Sequence, residues 1–507
     1  MTALPDWLEP LPDAAEQRSL DQWAIEQLGI AGVELMERAG AGLAAAVSER
    51  VPDGLVVAVC GKGNNGGDGF VAVRLLREQG RDVRVLALAS PDEYAGDARV
   101  NLERLPGPPA EPFAADRLEG AAVIIDAILG TGFKGVPREP AAGAIEAINA
   151  AGVEVVACDV PSGVNASTGE IEGVAVTAKA TVTFHTGKPG LWIAPGKAHA
   201  GEVRIVDIGV APGGPANPSI GLITASVLDR LPRRGRESTK FAAGSVLVCG
   251  GSTGLTGAPC LASEASMRAG AGYVTALIPA SLNAIFETRL LEVMTVPLPD
   301  EGGSVTTDAV EVVSARLERA DALVLGPGLG RSQDSLEAAR QIAAGATLPI
   351  LVDADGLNAH AGRLGALAAR RAPTVLTPHA GELARLLDTA SSEVSAHRLV
   401  SAREAARTAD AVVVLKGDDT LVAHPDGRVA ISPGGAAALA TAGTGDVLSG
   451  VIGAFLAKAV DPFEAACAGV FVHACAGRMS AAQIGSEGVI ASDVIDRLPA
   501  ALKGQGD

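Results

Sequence analysis

Four polar side chains stand at the ends of short apolar runs in the first third of the chain. Asp68 lies in CGKGNNGGDG (60–69), Asp126 in AAVIIDAIL (121–129), and Asp159 with Ser162 in VEVVACDVPSG (153–163). If the runs are parallel strands, their carboxyl ends face one crevice, where ligands of open α/β sheets settle. Asn64, Asn65 and Asp68 then meet Asp126, Asp159 and Ser162 there. Gly61, Gly63, Gly66, Gly67 and Gly69 let backbone N–H groups approach a phosphate at the start of a helix expected over 68–79. GTGFKGV (130–136) supplies a second such loop, with Lys134 as a cation. Asn65, Asp126 and Ser162 are hard oxygen donors of modest total charge, which suits a group-I cation or a bound water better than zinc.

A second cluster stands near the other end. GTGD (443–446) immediately precedes the apolar VLSGVIGAFLA, so Asp446 sits in the first turn of a helix, among free N–H groups and the positive end of the dipole. That is a place for a base taking a proton from an attacking hydroxyl, and for the anion of a phosphoryl transfer. KGDDT (416–420) follows a buried-type strand and offers a cation and donors for nucleotide phosphates. GSTGLTGAP (251–259), GPGLG (326–330) and TPHAGE (377–382) give further strand-end loops, the last carrying His379. Asp353 and Asp355 are candidates for magnesium, direct or through water, or for shaping a turn.

The bulk numbers exclude other classes. A formal charge of −18 argues against binding a phosphate backbone, and the one dense basic run, RLPRRGR (230–236), has no interleaved aromatics. Six scattered cysteines include no CxxC pair and no zinc spacing. The first residues lack a basic region and a continuous apolar stretch, and no uncharged apolar segment approaches the ~20 residues of a membrane span without Gly or Pro. A reduced, cytoplasmic enzyme is expected. No GxGxxG with an acidic ribose reader at the usual distance opens the fold, and no GK is followed by Ser or Thr, so neither ordinary NAD binding nor a P-loop is indicated.

The elements that must position these residues form two series. After helical spacing from Ser19 to Arg50 come the runs 55–60, 82–89, 121–129, 153–160, 180–185 and 201–209, alternating with amphipathic segments. The Gly/Pro-rich 210–219 and the basic run mark a boundary. The pattern restarts with 245–251, 273–279, 321–330, 349–358, 373–383 and 411–423. Two α/β domains, 1–214 and 222–505, are expected, each with a mostly parallel sheet.

GVELMERAG (32–40), CGKGNNGGDGF, DAILGTGFKG and DVPSGVNASTG resemble the epimerase domain of the bifunctional NAD(P)H-hydrate repair family, over nearly the whole first domain. The resemblance implies a Rossmann-like fold that interconverts the R and S epimers of NAD(P)HX, reduced nicotinamide nucleotide hydrated at C6. By that resemblance Asn64, Asn65, Gly66, Gly67 and Asp68 contact the hydrate, as do Gly130, Thr131, Gly132, Phe133, Lys134, Gly135 and Val136, together with Asp159. Asn65, Asp126 and Ser162 would hold K+. Inversion at C6, by loss and return of the hydroxyl or by ring opening, needs a proton shuttle, and Asp159 is the expected group.

GLTGAP, GPGLG, TPHAGE, KGDDT and AGTGDVLSG resemble the family's dehydratase domain, which has a ribokinase-like fold, over most of 222–505. The implied reaction is dehydration of the S epimer with ADP, giving AMP and phosphate, with Mg2+. Carried over, Lys416, Gly417, Asp418, Asp419, Thr420 and Gly445 bind the nucleotide, while Ala258, Gly328, His379 and Asp446 contact the hydrate. Hydroxide is a poor leaving group and phosphate a good one, so Asp446 would deprotonate the C6 hydroxyl for phosphorylation, and the ring nitrogen would then expel phosphate. The segment 286–298 reads LEVMTVPL where a PE(V/A)M-like element is expected. Association into homo-oligomers is expected; the competing readings are a ribokinase-like small-molecule kinase with an ancillary domain, and a non-enzymatic scaffold.

Overall fold

The computed structural model describes residues 3–211, 213–235 and 239–503. The last arginine of the basic run, position 212 of the Gly/Pro-rich segment and the extreme termini lie outside the described residues. Residues up to Glu9, together with Gly221 onward, form one compact unit, and Pro10–Ile220 forms another.

In the Pro10–Ile220 unit the β-branched runs become seven strands, all parallel. Their spatial order is Glu111–Pro112, Val83–Ala87, Leu55–Cys60, Ala121–Ala127, Glu154–Cys158, Ala180–Phe184 and Glu202–Val206. Both faces are covered, as near-continuous apolar strands require: one by a cluster around Leu43, Phe70 and Val123, the other by one around Ile124, Ile145 and Ile148. From Leu55–Cys60 the chain first builds outward on one side and then returns to Ala121–Ala127 on the other. The loops after these two strands therefore diverge and leave a crevice between them.

The helix expected to begin at 68 begins at Asn64 and runs to Glu78. Gly66, Gly67 and Gly69 are thus helical rather than part of an open loop. Their glycine identity answers to close packing: a Cβ on Gly66 would lie 1.8 Å from the Gly61 carbonyl oxygen, and one on Gly67 would lie 2.6 Å from Met36 Sδ. The helix start, with its free N–H groups at Asn64 to Gly66, consequently presses against the end of the first strand.

The other unit holds an eleven-stranded sheet in the order Leu8–Pro10, Ile220–Ile223, Val429–Ile431, Leu421–Ala423, Val412–Leu415, Thr374–Leu376, Ile350–Val352, Ala322–Leu325, Ser245–Cys249, Tyr273–Pro279 and Met294–Leu298. From Val412–Leu415 to Met294–Leu298 every pairing is parallel. The run 411–423 divides into two antiparallel strands, so KGDDT is the turn between them. The start of the chain belongs to this unit, because Trp7 is buried and packs on Phe463. Both domains have the expected classes, a Rossmann-like layer structure and a ribokinase-like one. Among the described residues no helix is long and apolar enough to cross a membrane.

The packing role of Gly66 is testable. Gly66→Ala should destabilise the Pro10–Ile220 unit by about 1–3 kcal/mol, since a backbone oxygen cannot move aside as a side chain can. Gly132→Ala, whose Cβ would meet nothing within 4 Å, should change stability by less than about 0.5 kcal/mol. Chemical unfolding of both variants checks the difference.

Candidate functional sites

In the Pro10–Ile220 unit, residues from several strand ends and helices line one cavity of ≈ 860 Å³. Asn64, Asn65 and Asp68 enter from the Asn64–Glu78 helix, Gly130, Thr131, Gly132 and Phe133 from the loop after Ala121–Ala127, and Asp159 from the end of Glu154–Cys158. Lys134 and Val136 are exposed, and with Gly135 they lie outside the lining. Gly66 and Gly67 stand behind it in the helix. The helix Ala14–Glu26 adds Gln17 and Asp21, and the end of Ala180–Phe184 adds Lys188; the sequence reading named none of these three.

Asp159 adopts a left-handed backbone conformation, φ 68°, which an aspartate tolerates better than most residues. Its Oδ2 accepts from the Thr131 backbone N–H (2.9 Å) and the Thr131 hydroxyl (2.6 Å), and its Oδ1 from the Thr183 hydroxyl (3.2 Å) and the Lys188 ammonium (2.9 Å). Burial pushes its carboxyl up, but Lys188 and Thr131 outweigh burial and hold it below the usual range. Asp68 has the opposite fate. Burial first, then the charges of Asp159 and Asp21, push its carboxyl well above the usual value, with Lys188 opposing. One cavity therefore holds one carboxyl pushed toward its charged form and another pushed toward its protonated form, a division that environment alone creates.

Asp126 and Ser162 are fully buried and bonded to each other: the Ser162 hydroxyl donates to Asp126 Oδ1 (2.6 Å) and the Ser162 N–H to Oδ2 (2.8 Å). Burial raises the Asp126 carboxyl to about 6, against those bonds. Ser162 also accepts from the Leu129 N–H, and a Cβ on Gly130 would lie 3.0 Å from the Asn65 side chain, so the three residues meet around one loop. The buried Asn65 amide has neither its oxygen nor its nitrogen partnered. Among the described residues no three His, Cys, Asp or Glu side chains cluster as a metal site would require. The Asn65–Asp126–Ser162 set, an amide, a carboxylate and a hydroxyl, is of a different kind.

In the other unit, adjacent parallel strands deliver the predicted loops side by side. Asp353 follows Ile350–Val352, His379 and Glu382 follow Thr374–Leu376, and Lys416 follows Val412–Leu415. Lys416 Nζ lies 2.9 Å from Asp353 Oδ1 and 3.7 Å from Glu382 Oε2. Asp353 Oδ2 accepts from Ser449, one turn beyond Asp446 on the helix Thr444–Leu456. Gly443 opens that helix at φ 91°, and a Cβ on Gly445 would stand 3.5 Å from Lys416 Nζ. Burial pushes the Asp446 carboxyl up to about 7, helped by Asp353 and opposed by Lys416. Asp446 is thus divided between acid and base at neutral pH.

His379 caps the helix Ala380–Leu387: its Nδ1 accepts from the backbone N–H groups of Gly381 and Glu382, and its own N–H donates to Glu382. Burial, Lys416 and Arg385 lower its pKa, while Glu382 opposes them. The ring is half exposed, with Nε2 3.6 Å from Glu382 Oε1. Ala258 and Gly328 adjoin one another, a Cβ on Gly328 falling 3.2 Å from that of Ala258. In KGDDT, Gly417 and Asp418 are exposed, whereas Asp419 is buried and pairs with the buried Arg398 at 2.8 Å. Its side chain ties down the turn. Thr420 closes the turn by donating to the Gly417 carbonyl. Asp355 is engaged by Gly330, Arg331 and Asn358, and Asp353 by Lys416 and Ser449. Both carboxylates are committed to protein donors.

The residues missed were within reach. Lys188 and Glu382 follow strands just as the predicted residues do, and Ser449 lies three positions beyond Asp446. A reading that weighted loops by glycine content passed over them.

Residues 246–500 match the family model described as NAD(P)H-hydrate dehydratase, and 32–190 match that described as YjeF-related protein N-terminus. A bifunctional NAD(P)H-hydrate repair enzyme of Moorella thermoacetica is 39% identical over 435 residues, covering 82% of both chains. One from Salinibacter ruber is 36% identical over 447 residues, again covering 82% of each. Among solved structures, the ADP/ATP-dependent NAD(P)H-hydrate dehydratase of Bacillus subtilis, co-crystallised with ATP and Mg2+, is 30% identical with a TM-score of 0.49. It covers 55% of this chain and 95% of its own.

The Arg398–Asp419 pair should be costly to break. Asp419→Ala, which strands a buried guanidinium, should lower the stability of its unit by about 3–5 kcal/mol in denaturant titration.

Proposed function

Because this chain belongs to the bifunctional NAD(P)H-hydrate repair enzymes, we propose that its Pro10–Ile220 unit epimerises NAD(P)HX at C6 and its other unit dehydrates the S epimer to NAD(P)H, with ADP as phosphoryl donor. It is an isomerase and a lyase in one polypeptide. The observation that carries the reading is the state of Asp446, a carboxyl raised to about 7 in the first turn of a helix, with Lys416 next to it. A base poised there takes the C6 hydroxyl proton as that oxygen attacks the β-phosphate of ADP. Lys416, which Asp353, Glu382 and Asp446 keep charged against burial, then faces the departing AMP. The oxygen leaves C6 as phosphate, driven by the ring nitrogen's electron pair, and the N1–C6 iminium so formed loses a proton from C5 to solvent, which restores the C5–C6 double bond of NAD(P)H.

In the epimerase cavity Asp68, rather than the Asp159 expected from the sequence, carries the proton that lets the C6 hydroxyl leave as water, because Lys188 and Thr131 hold Asp159 toward its charged form, facing the ring. Gly130 to Phe133 and the helix start at Asn64 are the surfaces offered to the rest of the hydrate; Lys134 to Val136 would reach it only if their loop turned inward. The buried, unpartnered amide oxygen of Asn65 beside Asp126 and Ser162 fits a weakly hydrated monovalent cation. K+ held by these three would neutralise Asp126 and brace the loop after Ala121–Ala127. Magnesium would enter with the nucleotide's phosphates, because the nearby carboxylates are already engaged.

Purified protein, a mixture of R and S NADHX, and magnesium with ADP, ATP or neither provide the test. Absorbance of reduced nicotinamide should recover fully with ADP; no recovery with either nucleotide would overturn the reading. The dehydration rate should be low below pH 7 and rise through about 7 as Asp446 ionises. Asp446→Asn should lose about 10²–10⁴-fold in rate and the pH step with it.

A further inference from the structure

The first cavity contains a lysine to which neither the family resemblance nor the reaction above gives a role. Lys188 is 1% exposed and lies at the end of the strand Ala180–Phe184. Its ammonium has three N–H donors, and the structure supplies three acceptors: Asp159 at 2.9 Å, the Thr183 hydroxyl at 2.8 Å and the Phe184 carbonyl at 2.9 Å. No donor is left for a substrate.

We propose that Lys188 is a positioning residue for epimerisation, one that acts through Asp159 by locking it as a permanent carboxylate facing the ring of the hydrate. The proposal rests on the epimerase reading and deepens it. When C6 inverts by loss of its hydroxyl, the C6–O bond breaks, the oxygen takes up a proton and departs as water, and the nitrogen's electron pair closes an N1–C6 double bond. The ring then bears a positive charge until water adds to the opposite face and sheds a proton, which passes through solvent to restore the proton that Asp68 gave up. A carboxylate that never protonates stabilises that cation, and one that shared its proton would not.

The surroundings explain why a lysine is needed. Asp68 on the helix Asn64–Glu78 and Asp21 on Ala14–Glu26 are carboxyl groups close enough to Asp159 for their charges to act on one another. Each would disfavour a second negative charge. His185, between Lys188 and Asp207, is pushed toward its neutral form by burial and by Lys188, so it supplies no compensating cation. Lys188 is the cation that touches Asp159, and it directs the charge to that carboxylate rather than to Asp68.

Lys188→Met tests this, with Lys188→Arg as the conservative variant. Selective 13C labelling of aspartate carboxyls reads the Asp159 titration directly, and the rate of R-to-S conversion is followed from pH 4 to 9. In Lys188→Met the Asp159 midpoint should rise by about two pH units, and the acid limb of the rate profile should move up with it. Lys188→Arg should return both toward the original protein. An unchanged Asp159 midpoint in Lys188→Met overturns the proposal, and so does a moved midpoint with an unmoved rate profile. If Lys188→Met does not fold, the neutral pair Lys188→Met with Asp159→Asn decides: a folded double variant supports the charge-locking role, and one that stays unfolded overturns it. An original protein without epimerase activity would sink the epimerase reading instead, while the carboxyl titration still reports on Lys188 and Asp159.

Discussion

A carboxylate removed from water must be given a cation or hydrogen-bond donors, or it takes up a proton. Both candidate sites follow from how few cations the chain places at its strand ends. In the Pro10–Ile220 unit Lys188 and Thr131 stabilise the charge of Asp159, and Asp68, close by and without a cation of its own, is pushed toward its protonated form. In the other unit Lys416 and Ser449 hold Asp353, and the Asp446 carboxyl is left raised to about 7. Each site thus holds one carboxylate in a fixed state beside one able to exchange a proton. Unrelated sheets arrive at that arrangement with one buried or half-buried lysine apiece.

Topology puts the constraint where it can act. Side chains at the carboxyl ends of adjacent parallel strands converge, and the helices that follow bring their positive ends to the same edge. Asp159, Lys188, Asp353, Glu382 and Lys416 all occupy this position. Asp446 lies instead in the first turn of Thr444–Leu456 and Asp68 just past the first turn of Asn64–Glu78, and the free N–H groups at the starts of these helices make the same edge receptive to phosphate.

Much of this was legible in the sequence. The runs 55–60 and 273–279 are strands to the residue, because their apolar, β-branched composition and flanking turn residues leave little choice. Asp126, Asp159, His379 and Lys416 could be gathered from strand-end position, and Asp68 and Asp446 from the Gly-rich starts of the helices that carry them. What sequence could not convey is contact. Gly66 reads as loop freedom when its reason is the Gly61 oxygen against it. Asp419 reads as a ligand for a nucleotide when its side chain is held by Arg398, distant in sequence. Leu8–Pro10 is too short to register as a strand, and only pairing with Ile220–Ile223 makes it one.

The central claim is that two separate sites on one chain carry the two halves of the repair. It is tested most directly by mixing two singly altered proteins, Asp159→Asn and Asp446→Asn, with an R and S mixture of NADHX, magnesium and ADP. Asp159→Asn alone should stop when the S fraction is consumed, Asp446→Asn alone should regenerate no NADH, and the two together should regenerate all of it. Complete recovery by either protein alone, or a stalled R fraction in the mixture, would contradict the account.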